Sequence, residues 1–213
     1  GGLTLELCPD PAGVPGAPCI SDIAGDEFFW WDAGAIIPVP AGGALAGPGS
    51  ADLVLATEGV TAATPSVFNR TRIRIDVPVA GTYTVTHPYG VKVFEVITPG
   101  IRAINDSLDQ GCALGTPNCD FRLALNTQIG PYLFWDSGLP IQAAGGFYIG
   151  DAATPHRVLG SPFGTNFFRV DGPPGSNLGG PGIDFLQTDL FTVSGKVFTG
   201  GGNTAPVAVA DAA

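Results

Sequence analysis

The chain has no methionine, only two histidines and only nine basic residues among 213, and each shortage narrows what it can do. Nine lysines and arginines against 19 acidic residues leave a formal charge of −10. The average field therefore repels nucleic acid and anionic membrane surfaces. The only imidazoles, His87 and His156, each lie beside a proline, in His87-Pro88-Tyr89-Gly90 and Pro155-His156-Arg157, and read as turn residues rather than catalytic bases. No serine sits in a G-x-S-x-G elbow, and Gly160-Ser161-Pro162 does not supply one. No run of about 18 apolar residues occurs, so no membrane-spanning helix is expected. A chain that opens on Gly1 without methionine is expected to have lost a leader.

Stretches free of helix breakers are also scarce. The 32 glycines and 20 prolines fall almost everywhere, and each costs about 1 to 3 kcal/mol inside a helix. Yet 45% of residues are hydrophobic, which argues against disorder. Many short strands joined by many turns reconcile the two facts. The expected fold is all-β, an Ig-like or jelly-roll-type β-sandwich with negligible helix.

Alternation of apolar and polar residues places strands at 3–7, 27–37, 52–56, 91–97, 101–105, 121–125, 132–135, 146–149, 157–159, 166–170 and 189–198. The clearest pattern has Phe68, Ile73, Ile75 and Val77 inward and Arg70, Arg72, Arg74 and Asp76 outward. With the Ala80-Gly81 turn and residues 82–86 it predicts a hairpin over 72–86. A minor helical turn is expected near 107–110. His87-Pro88-Tyr89-Gly90, followed by Phe94 and Val96, recurs 74 residues later as Ser161-Pro162-Phe163-Gly164, followed by Phe168 and Val170. Duplication into halves of about 1–110 and 111–198 would explain it, as would a common turn feeding a strand.

Four cysteines form two close pairs in sequence, Cys8 with Cys19 and Cys112 with Cys119. The turn-rich segments between them favour local disulfides, each worth about 2.5 to 3 kcal/mol by chain entropy. Zinc would want a different spacing. Disulfides in turn suggest a secreted or cell-surface protein.

Candidate chemistry is sparse. Asp26, Glu27, Asp32, Asp136, Asp184 and Asp189 could supply the paired carboxylates of a polysaccharide hydrolase, although acids of an acidic protein are ordinarily solvated surface. No cofactor is expected, with calcium as the one alternative. Asn105, Asp106 and Asp109 alternate oxygen ligands, but the segment lacks the glycine and terminal glutamate of an EF-hand. Trp30, Trp31 and Trp135, with the aromatics around them, are either core or a stacking platform for a glycan. Arg70, Arg72 and Arg74 read as a solvated face suited to an acidic neighbour. Asn69-Arg70-Thr71 and Asn105-Asp106-Ser107 are glycosylation sequons.

A body at 1–198 is followed by a glycine-rich hinge at 199–203 and a short apolar strand at 204–213. In that strand Val207 and Val209 alternate with Ala208 and Ala210, so both faces call for burial. The stretch Asn203-Thr204-Ala205-Pro206-Val207-Ala208-Val209-Ala210-Asp211 resembles the first strand of the Ig-like or cadherin-like repeats of large secreted bacterial surface proteins. The body, with Gly81-Thr82-Tyr83-Thr84-Val85, is similar to bacterial Ig-like sandwiches. Read this way, the chain is an N-terminal module followed by adjacent Ig-like domains. Read as a chain ending at Ala213, it is similar to donor-strand filament subunits, in which Ala205, Val207, Ala208, Val209 and Ala210 would pair with another copy. The five-residue hinge would span on the order of 15 to 18 Å, and the N-terminal segment 3–7 is the alternative donor. The leading expectation is an extracellular structural subunit of a surface filament or fibre. The alternatives are a monomeric adhesin or carbohydrate-binding module, and the hydrolase.

Overall fold

Strict two-residue alternation builds the largest element of the structure. The computed structural model describes residues 4–7, 27–60, 66–112, 118–138, 141–143 and 146–200. Three long strands, β2 (Glu27–Val39), β3 (Gly49–Val60) and β4 (Ser66–Val77), run antiparallel, with one register shift in β2. Ala33, Ala35, Leu53, Leu55, Ile73 and Ile75 point to one side and are all but inaccessible. β7 (Gly100–Gly111) pairs along nearly all of β4. β14 (Leu190–Ser194), β11 (His156–Leu159) and β8 (Phe134–Trp135) extend the sheet past β2, giving the order β7-β4-β3-β2-β14-β11-β8.

A second antiparallel sheet covers the apolar face. It has the order β13 (Phe185–Thr188), β12 (Phe168–Asp171), β5 (Gly81–His87), β6 (Gly90–Val96). Its Tyr83, Val85, Phe168 and Val170 join Trp31, Leu53 and Ile73 in one core cluster. A third small sheet orders β1 (Leu5–Glu6), β15 (Lys196–Val197), β10 (Gly146–Tyr148) and β9 (Ile141–Ala143). The fold is therefore an all-β, sandwich-like arrangement of antiparallel sheets, with a single short 3-10 helix (Phe121–Asn126) among the described residues.

Several sequence expectations are corrected here. Residues 72–86 do not form a hairpin: β4 pairs with β3 and β7, while β5 pairs with β12 and β6 in the opposite sheet. Pro78 cannot donate to a ladder, and its carbonyl accepts from Ala44 N at 2.8 Å while Val79 O accepts from Tyr83 Oη at 2.8 Å. The segment thus carries the chain from one layer to the other. Phe68 faces outward with the arginines, buried beneath the Arg70 guanidinium, whose carbon lies 5.1 Å from the ring centre. Residues 121–125 are helical rather than extended, because Asp120 caps them by accepting from Arg122 N at 3.0 Å. Residues 107–110 are strand, held rung by rung to 69–72, so the ladder overrides local preference. The expected strand 189–198 is split at Gly195, where a Cβ would lie 2.8 Å from Ile149 Cδ1, and β14 and β15 enter different sheets.

Both halves of the sequence contribute to every sheet, with β14 beside β2, β12 beside β5 and β15 beside β1. The two repeated turn motifs touch: Ser161 Oγ donates to Pro88 O at 2.7 Å and Thr165 Oγ1 to His87 O at 3.2 Å. Their aromatics diverge, Tyr89 being buried with its hydroxyl on Pro131 O at 2.7 Å and Phe163 exposed. A buried polar seam ties the 3-10 helix to the central sheet. Asn69 bonds Thr57 Oγ1 and donates to Ala124 O and Thr127 Oγ1, both at 2.6 Å. Asn69 is thus inaccessible as a glycosylation site in the folded chain.

Trp31 sits at the centre of the core with no exposed surface. Its indole N–H donates to Leu133 O at 3.1 Å, its ring stacks on Tyr132 at 5.1 Å and meets Tyr89 edge-on at 6.1 Å. Trp31→Ala should cost about 3 to 5 kcal/mol, read as a lowered urea midpoint with an unchanged slope; a loss below about 1 kcal/mol would contradict this packing.

Candidate functional site

The outer face of the central sheet is the other product of the same alternation. The register puts Ser194, Asp32, Ala56, Arg70 and Asp109 in one row across five strands, and Thr192, Gly34, Val54, Arg72 and Ser107 in the next. A bulge between Phe29 and Trp31 shifts the β2 register, so that Phe29 and Asp32 share the outer face while Trp31 turns inward. Bulges re-aim side chains in this way. Small residues in the middle of the face leave a cleft of about 710 Å³, floored by Gly34 and Ala56 and walled by Phe29, Ile36, Leu190 and Arg72. Gly34 keeps the floor low, since a Cβ there would approach Thr192 Oγ1 to 3.1 Å.

Charge in the cleft is unevenly satisfied. Glu58, 2% exposed, lies with Oε1 3.0 Å from Arg70 Nη1. Arg70 also forks onto Asp109 at 2.8 and 2.9 Å, the bidentate geometry that makes such pairs strong. Arg74 donates to Asn105 at 3.3 Å. Arg72, between them, has no hydrogen bond or ion pair with the described residues; burial and the flanking Arg74 and Arg70 lower its pKa. Asp32 is 6% exposed and also has no hydrogen-bond partner among the described residues. Burial first, and then the charge of Glu58, push its pKa up to about 7, with Arg72 opposing.

The remaining candidates lie apart. Trp31 is core, and Trp30 lines a smaller cavity with Phe121 and Tyr132. Trp135 stacks on His156 at 4.9 Å, so the three tryptophans form no common platform. Asp136 stands 3.1 Å from both His156 Nδ1 and Arg157 Nε. Asp184 accepts from the backbone of Gly175 and Asn177, both at 2.8 Å, and so ties a loop. Asp189 is exposed. His87 is buried, which lowers its pKa to about 4 and keeps it neutral, with Lys92 adding to the effect. Asn105 and Asp109 face outward onto Arg74 and Arg70, whereas Asp106 turns to the other face and pairs with Lys92 at 2.5 Å. Among the described residues no three acidic, histidine or cysteine side chains are grouped to hold a metal ion. Cys112 and Cys119 are joined as a disulfide. Cys8, Cys19, Asp26 and the strand from Ala205 to Ala210 lie outside the described residues.

Glu58 is the residue of this cleft that the sequence did not single out. It sits in an apolar strand with no motif around it, and the β3–β4 register, which puts it opposite Phe68 and diagonal to Arg70, gives it meaning. No protein-family model, curated protein or solved structure matches the chain.

The raised Asp32 pKa carries a definite sign. A carboxyl that holds its proton more tightly in the folded state stabilises the fold at low pH. That contribution is lost as pH rises from the unfolded value of 3.8 through about 7. Glu58, Arg70 and Arg72 face it, with uncharged Ser194 across the strand. Asp32→Asn should therefore gain stability relative to the parent between pH 4 and pH 8, by up to about 4 kcal/mol; thermal midpoints that differ by a constant amount across this range would refute the assignment.

Proposed function

We propose that the protein is an extracellular structural module that associates with further copies, or with adjacent Ig-like domains, by exchanging terminal strands. The observation behind this reading is the junction of β1 with β15. Among the described residues two pairs join them, Leu5 with Val197 and Glu6 with Lys196, reinforced by a Glu6–Lys196 ion pair at 2.5 Å and by Phe198 N donating to Thr4 O at 2.9 Å. Leu5 packs on the core edge. So short a ladder opens at little cost, and the vacated edge of β15 then accepts an identical strand from a second copy. The Cys112–Cys119 disulfide and the acidic surface fit an extracellular setting. No helix among the described residues is long and apolar enough to cross a membrane. The apolar tail at 204–213 is a second donor in this scheme, deletion of which separates its contribution from that of β1.

Charge reversal tests the exchange. Glu6→Lys and Lys196→Glu each place like charges across the junction, within a chain and between identical copies alike. When the two variants are mixed, opposite charges meet only between chains. Light scattering should then give about twice the monomer mass for the mixture and for the parent at high concentration, and the monomer mass for each variant alone. A mixture that stays monomeric would refute exchange through β1.

A further inference from the structure

We propose that the cleft on the outer face of the central sheet binds a carboxylate-bearing saccharide of the uronate class, with Arg72 receiving the carboxylate and Asp32 bonding a ring hydroxyl. The inference is independent of strand exchange. Asp32 and Arg72 have no hydrogen-bond or ion-pair partner among the described residues, whereas the two arginines that flank Arg72 do. Arg70 is committed to Glu58 and Asp109, and Arg74 to Asn105. Arg72 stands between two cations of its own strand, with Val54 and Ser107 beside it in the rungs; the charges of Glu58 and Asp32 reach it through space, but it forms no hydrogen bond or ion pair with the described residues. A guanidinium in this position presents a planar fork that matches a carboxylate.

Asp32 supplies the second requirement. Asp32, a residue only 6% exposed, lines the cleft without a hydrogen-bond partner among the described residues, and a carboxyl with so little access to water gains from a ligand that bonds it. Near neutrality it holds its proton for part of the time and then donates as well as accepts. A ligand with hydroxyls satisfies it in either form. The walls add the third element, since Phe29, Ile36 and Leu190 offer apolar surface to the C–H face of a pyranose. The volume of about 710 Å³ falls within the range of small-ligand sites. A simple carboxylate would leave Asp32 and the apolar walls unused, and a neutral sugar would leave Arg72 unpaired. One ligand meeting all three demands is a uronic acid.

Isothermal titration with trigalacturonate and triglucuronate, each against its neutral trisaccharide counterpart, tests the site. At least one uronate should bind saturably below millimolar concentration and at least tenfold more tightly than the neutral sugar. Arg72→Gln, folded by circular dichroism, should weaken that binding at least tenfold. Asp32→Ala should weaken it similarly, while Asp32→Asn, which keeps both a donor and an acceptor, should stay within about threefold of the parent. Equal affinity for acidic and neutral sugars, the absence of saturable uronate binding, or a folded Arg72→Gln with parental affinity would each overturn the proposal.

Discussion

The register that joins β2, β3, β4 and β7 is the constraint on which the rest depends. Each ladder runs for about ten rungs, and a slip of one residue would send every side chain to the opposite face. In the native register, Leu53, Leu55, Ile73 and Ile75 meet the second sheet while Asp32, Glu58, Arg70 and Arg72 meet one another outside. In a slipped register three arginines would enter the core, at a cost no packing gain could offset. The apolar core and the charged cleft are consequently two faces of one choice. Asp76 reinforces it from the end of β4, accepting from Ser50 N at 2.9 Å and Arg102 N at 2.6 Å and so fastening both flanking strands.

Much of this architecture was readable from residue pattern. Alternation over 69–75 gave β4 its correct faces, although Asp76, expected outward, is buried where the register with β7 shifts, and the spread of glycine and proline correctly excluded long helices. Val91 and Val93 lie exposed opposite Phe94 and Val96, as the spacing of β6 implies. The failures have physical causes. Phe68 looked inward because it is apolar, yet it is sheltered by a guanidinium on the outer face. The 72–86 segment looked like a hairpin because two strands flank a turn, and nothing local distinguishes a turn within a sheet from a crossing between sheets. Sequence spacing also hid the site. Glu58 and Arg70 are twelve residues apart and meet only through the β3–β4 register, while the bulge that aims both Phe29 and Asp32 outward has no residue signature.

The cleft and the β1–β15 junction belong to different parts of the molecule and ask different things of it. The first needs a rigid floor, which the long ladders on both sides of β3 provide. The proposed exchange would need a contact weak enough to open, and the two pairs described between β1 and β15 would supply it. A module joined through its end strands, as proposed, would leave the cleft on the central sheet undisturbed. The Cys112–Cys119 disulfide lies beyond the end of β7, closing the loop that leads into the 3-10 helix, and so restrains the far side of the same sheet.

The register buries Asp32 in the cleft beside Glu58, within the field of Arg72. Carbon-detected NMR of the Asp32 carboxyl across pH 3 to 9 measures that environment at one atom. The expected titration midpoint is about 7, set apart from an ordinary carboxylate near 4. A midpoint below about 5 would place Asp32 in water, and with it contradict the register from which the cleft is built.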